Sequence, residues 1–295
     1  MKIVHRIEDL RDALAGAQRP AFVPTMGNLH KGHLALIRQA ARLGDCTVAS
    51  IFVNRPQFLP HEDFDRYPRT WESDCAALKS VGCDVLFAPG EADLYPQPQT
   101  FRLRPDPALS NILEGHFRPG FFEGVSTVVM KLFMSVFLGK RQGVTLFGLK
   151  DYQQFLVIKA LVKQFALPIE VVGGPIVRDD DGLALSSRNA YLSADERQRA
   201  SLLYRSLSHL VEQFKLEQHR NRLDPRNESD QARYQQWVET LEAAAKEKLS
   251  GAGWHVDYLC LRRQDNLQLP GISDPTIALA AAKLGTTRLI DNLAC

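Results

Sequence analysis

The chain has 295 residues, with 36 Lys and Arg against 34 Asp and Glu, a formal net charge of +2, 45% hydrophobic and 24% charged residues. That balance excludes the strongly basic surface of a dedicated nucleic-acid binder and excludes wholesale disorder. No apolar run approaches the roughly 18 residues of a membrane span, the opening MKIVHRIEDLRDAL lacks the apolar core of a signal peptide, and the five cysteines (Cys46, Cys75, Cys83, Cys260, Cys295) form no C-x-x-C pair, so the expectation is a cytoplasmic protein without disulfides or a zinc knuckle.

Short apolar runs at residues 21–24, 47–53, 85–88, 144–147 and 169–172 alternate with amphipathic helical patterns such as 34–43 and 152–165. This alternation predicts an α/β fold, a Rossmann-like doubly wound parallel sheet. Gly173, Gly174 and Pro175 interrupt the pattern and suggest a domain boundary there, giving a first domain of residues 1–175 and a second of 176–295. In the second, helical patterns at 194–215 and 232–249 flank the polar segment 217–231, read as a solvated insertion, and β-like runs follow at 256–261, 276–281 and 287–290. A smaller α+β domain is expected. Ligands of doubly wound sheets bind beyond the carboxyl ends of the strands, so the loops after the strands are where chemistry is sought.

The first such loop is PTMGNLHKGH, from Pro24 to His33. A helix start gathers unpaired N–H groups and the positive end of the dipole, which favours phosphate. His30 and His33 are three apart and would face one ligand from the first turn, with Gly32 letting a flat ring approach. The alternatives are imidazoles that merely bond to nearby backbone, and a metal pair; for the latter a third ligand and the HExxH pattern are missing.

At the end of the second strand, Asn54 and Gln57 in SIFVNRPQF offer uncharged amide donors and acceptors suited to a hydroxylated carboxylate, although such residues also serve as turn formers. The segment 63–74, DFDRYPRTWESD, reads equally as a charged loop before a surface helix, with Asp74 a candidate magnesium neighbour. In 113–133, Arg118, Pro119, Gly120 and Gly124 make a turn-rich lead into a buried helix. TLFGLKDYQQ places Gly148, Lys150 and a capping Asp151 between strand and helix, a reasonable phosphate site. In VRDDDGLALSSRNAYL, Ser186, Ser187 and Arg188 suit triphosphate oxygens, or form an N-cap-rich turn.

The PTMGNLHKGH string resembles the HIGH-type motif of adenylate-forming nucleotidyltransferases and, with the other segments in order from Pro24 to Leu192, resembles the pantothenate synthetase (pantoate–β-alanine ligase) family. The family's FVNP-x-QF is here FVNRPQF, its FGEKDYQQ has Leu149 in place of glutamate, and its histidine and asparagine in the fourth segment are Phe121 and Met134. The resemblance implies that pantoate is adenylated by ATP, with release of pyrophosphate, and that β-alanine then attacks the pantoyl adenylate to give pantothenate and AMP. It implies that ATP is cradled by Met26, Gly27, Asn28, Leu29, His30, Lys31, Gly32 and His33, by Gly148, Leu149, Lys150 and Asp151, and by Val177, Leu185, Ser186, Ser187 and Arg188, the last three on a mobile lid. His30, His33 and Lys150 would stabilise the charge on the transferring oxygens, with His33 as proton donor to the phosphate. Gln57 and Gln154, helped by Asn54, would hold pantoate, Mg2+ would bridge the phosphates without a protein cage, and the enzyme would be a homodimer. An adenylyltransferase for another substrate, a metal hydrolase and a non-catalytic nucleotide binder remain alternatives on the residues alone.

Overall fold

Along β2 (Pro20–Thr25), Phe22 packs with Val48, Phe87 and Phe133 on one side of the sheet, while Ala21 and Val23 pack with Ile37, Leu78 and Leu146 on the other. Neighbouring side chains of a strand point to opposite faces, and a sheet covered on both faces reads as a continuous apolar run. The computed structural model describes residues 1–60, 62–220 and 223–295. Among these, β1 (Lys2–Val4), β2, β3 (Cys46–Ile51), β4 (Val85–Phe87), β5 (Gly143–Gly148) and β6 (Ile169–Gly174) form a parallel sheet in the order β1-β4-β3-β2-β5-β6. The helix Lys31–Ala40 covers one face and the largely buried helix Phe121–Phe137 the other.

The sheet opens where its order reverses. From β2 the chain winds outward through β3 and β4, then crosses to β5 and winds the other way to β6. The β2–β3 ladder runs to Thr25 opposite Ile51, and the β5–β6 ladder to Gly148 opposite Gly174, but β2 and β5 pair only at Ala21–Val144 and Phe22–Thr145. Beyond Phe22 and Thr145 the two halves part, and the carboxyl ends of β2 and β5 flank a crevice. That is the topological switch point at which such sheets bind ligands.

The expected strands are all present, and β1, too short to read from its pattern, adds an edge. Gly173 and Gly174 do not break β6 as expected; they complete it. A Cβ on Gly174 would lie 2.0 Å from Leu36 Cδ2, and one on Gly173 would lie 2.5 Å from Leu149 Cδ2, so these glycines let neighbouring side chains close onto the strand.

The chain divides into two compact units, Met1–Val177 and Arg178–Cys295. In the second, β7 (His255–Arg263), β8 (Thr276–Leu284) and β9 (Thr287–Ala294) form an antiparallel sheet in that order. Its alanines Ala278, Ala280 and Ala282 pack with Leu203, Leu207, Phe214 and Tyr234 of the helices Leu202–Arg220 and Glu228–Gly251. Of the polar segment 217–231, residues 221 and 222 lie outside the described residues, and much of the rest belongs to the ends of these two helices. The second helix starts early because the Asn227 side chain accepts the N–H groups of Ser229 and Asp230. No helix among the described residues is long and apolar enough to cross a membrane.

Candidate active site

The loop after β2 turns through two left-handed residues, Gly27 (φ 83°) and Asn28 (φ 50°). The turn is held by Asp74, which is 3% exposed on the helix Trp71–Ser80. Its carboxylate accepts the N–H groups of Asn28 and Leu29, both at 2.8 Å, and the Thr70 hydroxyl at 3.1 Å. Asp74 is therefore spent on the turn, where the sequence suggested a magnesium neighbour.

At the start of the helix Lys31–Ala40, His30 Nδ1 accepts the Gly32 N–H at 3.1 Å and His33 Nδ1 accepts the His30 N–H at 3.3 Å. The rings stack loosely, their centroids 4.0 Å apart and tilted by 36°. The two readings of this pair, backbone caps or ligand groups, are not exclusive: Nδ1 of each ring takes a backbone N–H, which leaves Nε2 as the ring nitrogen that a ligand would use. The bare amides expected at this helix start are instead largely used, since those of Asn28 and Leu29 go to Asp74 and those of His30 and Gly32 to imidazoles. What the helix start offers is imidazole N–H. Gly32 is required for a different reason from the one anticipated, because a Cβ there would meet the His30 ring at 2.9 Å.

Burial pushes His30 down to about 4, with Lys150 lowering it further, and pushes His33 down to about 3, helped by His30 and Lys150. Both imidazoles are neutral at pH 7, and because each Nδ1 accepts, each proton sits on Nε2. The positive charge acting on this pair is that of Lys150. Lys150 lies in the one-turn segment Leu149–Asp151 directly after β5, with Nζ 3.3 Å from Asp151 Oδ2. Asp151 occupies the N-cap position of the helix Tyr152–Gln164 but makes no capping hydrogen bond with its side chain, which pairs with Lys150 instead. Leu149 packs on Gly173. The nearest atom to a Cβ placed on Gly148 would be Leu36 Cδ1 at 4.0 Å, so packing within the protein does not demand glycine at that position.

The amides of the FVNRPQF loop have unequal roles. Asn54 is 1% exposed, and its Nδ2 donates to Gln57 Oε1 at 3.1 Å and to the Gly124 carbonyl at 3.3 Å. Asn54 therefore lies behind Gln57 and braces its carbonyl. Gln57 is half-buried, and its Nε2 reaches Met26 Sδ at 3.1 Å. Gly124 permits this packing, since a Cβ on it would lie 2.5 Å from the Pro56 carbonyl oxygen. Arg118 clamps the same loop: it donates to Glu62 at 2.6 and 2.8 Å and to the Gln57 carbonyl at 3.3 Å, and its guanidinium lies 3.7 Å from the centre of the Phe121 ring. Gln154 is half-buried on the first turn after Lys150, while Gln153 is buried and bonded to the backbone of Leu109, Ile112 and Glu114. Sequence reasoning missed Tyr95, whose hydroxyl donates to Asn54 Oδ1 at 2.8 Å. No local signal marks it, because its partner is 41 residues away.

In the second unit, Ser186 caps the short turn Ser187–Tyr191 by accepting the Arg188 N–H at 3.3 Å. The segment leading to Leu185 is a small hairpin, with Arg178 bridged to Ala184 and bonded through two nitrogens to Asp291 at 2.6 and 2.8 Å. Arg197 joins it through Asp179 at 2.7 Å and Asp181 at 2.6 Å. Val177, at the end of the first unit, is close to Gly32: its Cβ would lie 3.8 Å from one placed on that glycine.

A parallel sheet that parts at its switch point beside paired imidazoles and a lysine defines a doubly wound α/β protein whose candidate site lies at the carboxyl edge of the sheet. The chain belongs to the pantoate-beta-alanine ligase family, whose model matches residues 2–294, and it is an enzyme of the ligase class. It is 58% identical over 297 residues to the pantothenate synthetase of Paracidovorax citrulli, covering 99% of each chain. Among solved structures it resembles the pantothenate synthetase of Thermus thermophilus, with TM-score 0.87, 39% identity and 99% of each chain covered. It also resembles the pantoate-beta-alanine ligase of Francisella tularensis complexed with beta-gamma ATP and beta-alanine, with TM-score 0.74, 32% identity and coverage of 100% of this chain and 97% of that one.

Proposed function

We propose that the crevice between β2 and β5 binds ATP and pantoate and joins pantoate to β-alanine through a pantoyl adenylate. The observation that carries this reading is the convergence of His30, His33 and Lys150 at the ends of the two strands that part at the switch point. A carboxylate is a poor acylating agent, so one of its oxygens must first be made part of a good leaving group. The pantoate oxygen attacks the α-phosphorus and the bond to pyrophosphate breaks; the β-alanine nitrogen then attacks the acyl carbon, AMP leaves, and the amine proton passes to solvent.

Positioning and charge stabilisation dominate phosphoryl transfer. In this reading the His30 and His33 Nε2–H groups donate hydrogen bonds to phosphate oxygens and the Lys150 ammonium supplies the charge that grows in the transition state. Neutral imidazoles suit that task, because they donate without first being protonated. Gly148 lets the nucleotide approach β5 closely. Gln57 and Gln154 bind pantoate, with Asn54 behind Gln57. Among the described residues there is no group of three or more His, Cys, Asp and Glu side chains able to hold a metal ion. In this reading Mg2+ is held mainly by the phosphates of the nucleotide, as a cation that keeps several waters and needs few protein ligands would be.

The assignment of Leu185, Ser186, Ser187 and Arg188 to ATP, and of residues 176–295 to a lid, is supported by the match of VRDDDGLALSSRN to the family pattern. A homodimeric, cytoplasmic enzyme belongs to the same proposal. The test is pantoate-dependent ATP–pyrophosphate exchange by the purified protein, followed by AMP formation on addition of β-alanine. Exchange without pantoate would point to an adenylyltransferase for another substrate, and ATP binding without exchange would overturn the reading.

A further inference from the structure

A chain of hydrogen bonds runs from Tyr95 through Asn54 to Gln57. The Tyr95 hydroxyl donates to Asn54 Oδ1 at 2.8 Å, Asn54 Nδ2 donates to Gln57 Oε1 at 3.1 Å, and Gln57 Nε2 is left facing Met26 Sδ at 3.1 Å. Two groups give this chain a direction. A backbone carbonyl can only accept, so the Gly124 oxygen, 3.3 Å from Asn54 Nδ2, holds the nitrogen of Asn54 on its side. That leaves Oδ1 of an almost fully buried amide in need of a donor, and the Tyr95 hydroxyl is that donor. With Asn54 so oriented, Gln57 must turn its carbonyl inward and its NH2 outward.

We propose that Tyr95 acts through Asn54 to fix which edge of the Gln57 amide meets the acid substrate, presenting N–H donors to the oxygens of pantoate. Tyr95 is then a positioning residue. This rests on the assignment of Gln57 to pantoate. Tyr95 is itself well held: its ring lies 6.0 Å from that of Phe52, the Lys131 ammonium is 4.8 Å from its ring centre, and Lys131 is anchored on Gln99 Oε1 at 3.0 Å. It borders a cavity of about 220 Å³ that Pro56, Gln57, Phe121 and Gly124 also line. Burial pushes the phenol up to about 12, so it keeps its proton throughout the working range.

The test uses initial rates of the full chain for Tyr95→Phe, Gln57→Ala and the double variant, with KM for pantoate and ATP measured separately and the unfolding midpoint recorded. Tyr95→Phe should raise the pantoate KM by roughly tenfold, with kcat and the ATP KM changed by no more than about twofold. In the Gln57→Ala background the same change should add nothing to the pantoate KM, since the group it orients is gone. An equal added penalty there would mean a merely structural effect and would overturn the proposal. An unchanged pantoate KM in Tyr95→Phe, with a raised one in Gln57→Ala, would sink the relay and leave the pantoate site standing. An unchanged KM in Gln57→Ala would sink the site assignment itself. Asn54→Asp carries the test if Tyr95→Phe does not fold, because it offers Gln57 an acceptor in place of a donor and should reverse the amide; a pantoate KM like that of the parent would again overturn the proposal.

Discussion

His33 Nδ1 accepts the backbone N–H of His30 at 3.3 Å, and the two rings lie with centroids 4.0 Å apart. One contact thus closes the helix start, fixes the tautomer of His33 and keeps its Nε2 proton for a ligand. Its cost is that protonating either ring sets a cation beside its neighbour in a buried site, and this gives the enzyme an acid-sensitive fold.

Burial holds His33 at about 3 in the folded chain against an ordinary value of 6.5. Below pH 6.5 the unfolded chain binds a proton that the folded chain refuses until about pH 3. Stability from this residue is therefore complete above 6.5 and falls with decreasing pH by about 1.4 kcal/mol per unit. Between pH 7 and pH 5 its share is about 2 kcal/mol. Urea unfolding of His33→Asn at the two pH values should show a loss smaller than that of the parent by this amount, and a loss of the same size would clear His33 as the source.

Lys150→Ala should reduce pantoate-dependent ATP–pyrophosphate exchange by about 10²- to 10³-fold, the scale of losing one charge-stabilising group, and leave the fold intact. The same change should raise the pKa of His30 above about 4, because the ammonium contributes to its depression. Imidazole proton resonances followed by NMR across the titration would report it. A His30 value that stays put would show that Lys150 does not act on this ring.

Two glycines separate fold from function. Gly148→Ala meets nothing nearer than 4.0 Å, so the unfolding free energy should change by less than about 0.5 kcal/mol, while the KM for ATP rises. Gly124→Ala drives a methyl to 2.5 Å from the Pro56 carbonyl oxygen. Backbone cannot swing aside as a side chain does, so this variant should lose about 1–3 kcal/mol and raise the KM for pantoate by displacing Gln57. Calorimetry paired with steady-state kinetics distinguishes the two, and equal stability losses would contradict the assignment.

In the second unit, Arg178 meets Asp291 through two nitrogens, and the Asp291 side chain is 3% exposed. Arg178→Ala strands a buried carboxylate and should cost about 3–5 kcal/mol. Asp291→Asn, which keeps the shape and removes the charge, should cost less. Denaturant unfolding of both variants checks the order, and the reverse order would show that the ion pair is not what anchors the hairpin.

Much of the architecture was legible from near neighbours in the chain. Apolar runs spaced by amphipathic stretches are enough to define a doubly wound sheet, because strand and helix periods are local properties. The strings PTMGNLHKGH and FGLKD mark the loops after β2 and β5 for the same reason: residue types change abruptly where a strand ends and a helix begins.

Partners far apart in the sequence were decided only by folding. Asp74 holds the Gly27–Asn28 turn from 46 residues away, and Tyr95 reaches Asn54 across 41. No spacing rule links such pairs, since each depends on how helices dock on the sheet. The state of the imidazoles belongs to the same class. Sequence by itself placed His30 and His33 three residues apart beside a phosphate-sized loop; the parting of β2 from β5, the approach of Lys150 and the burial of both rings made them neutral donors, because desolvation and neighbouring charge exist only in the folded chain.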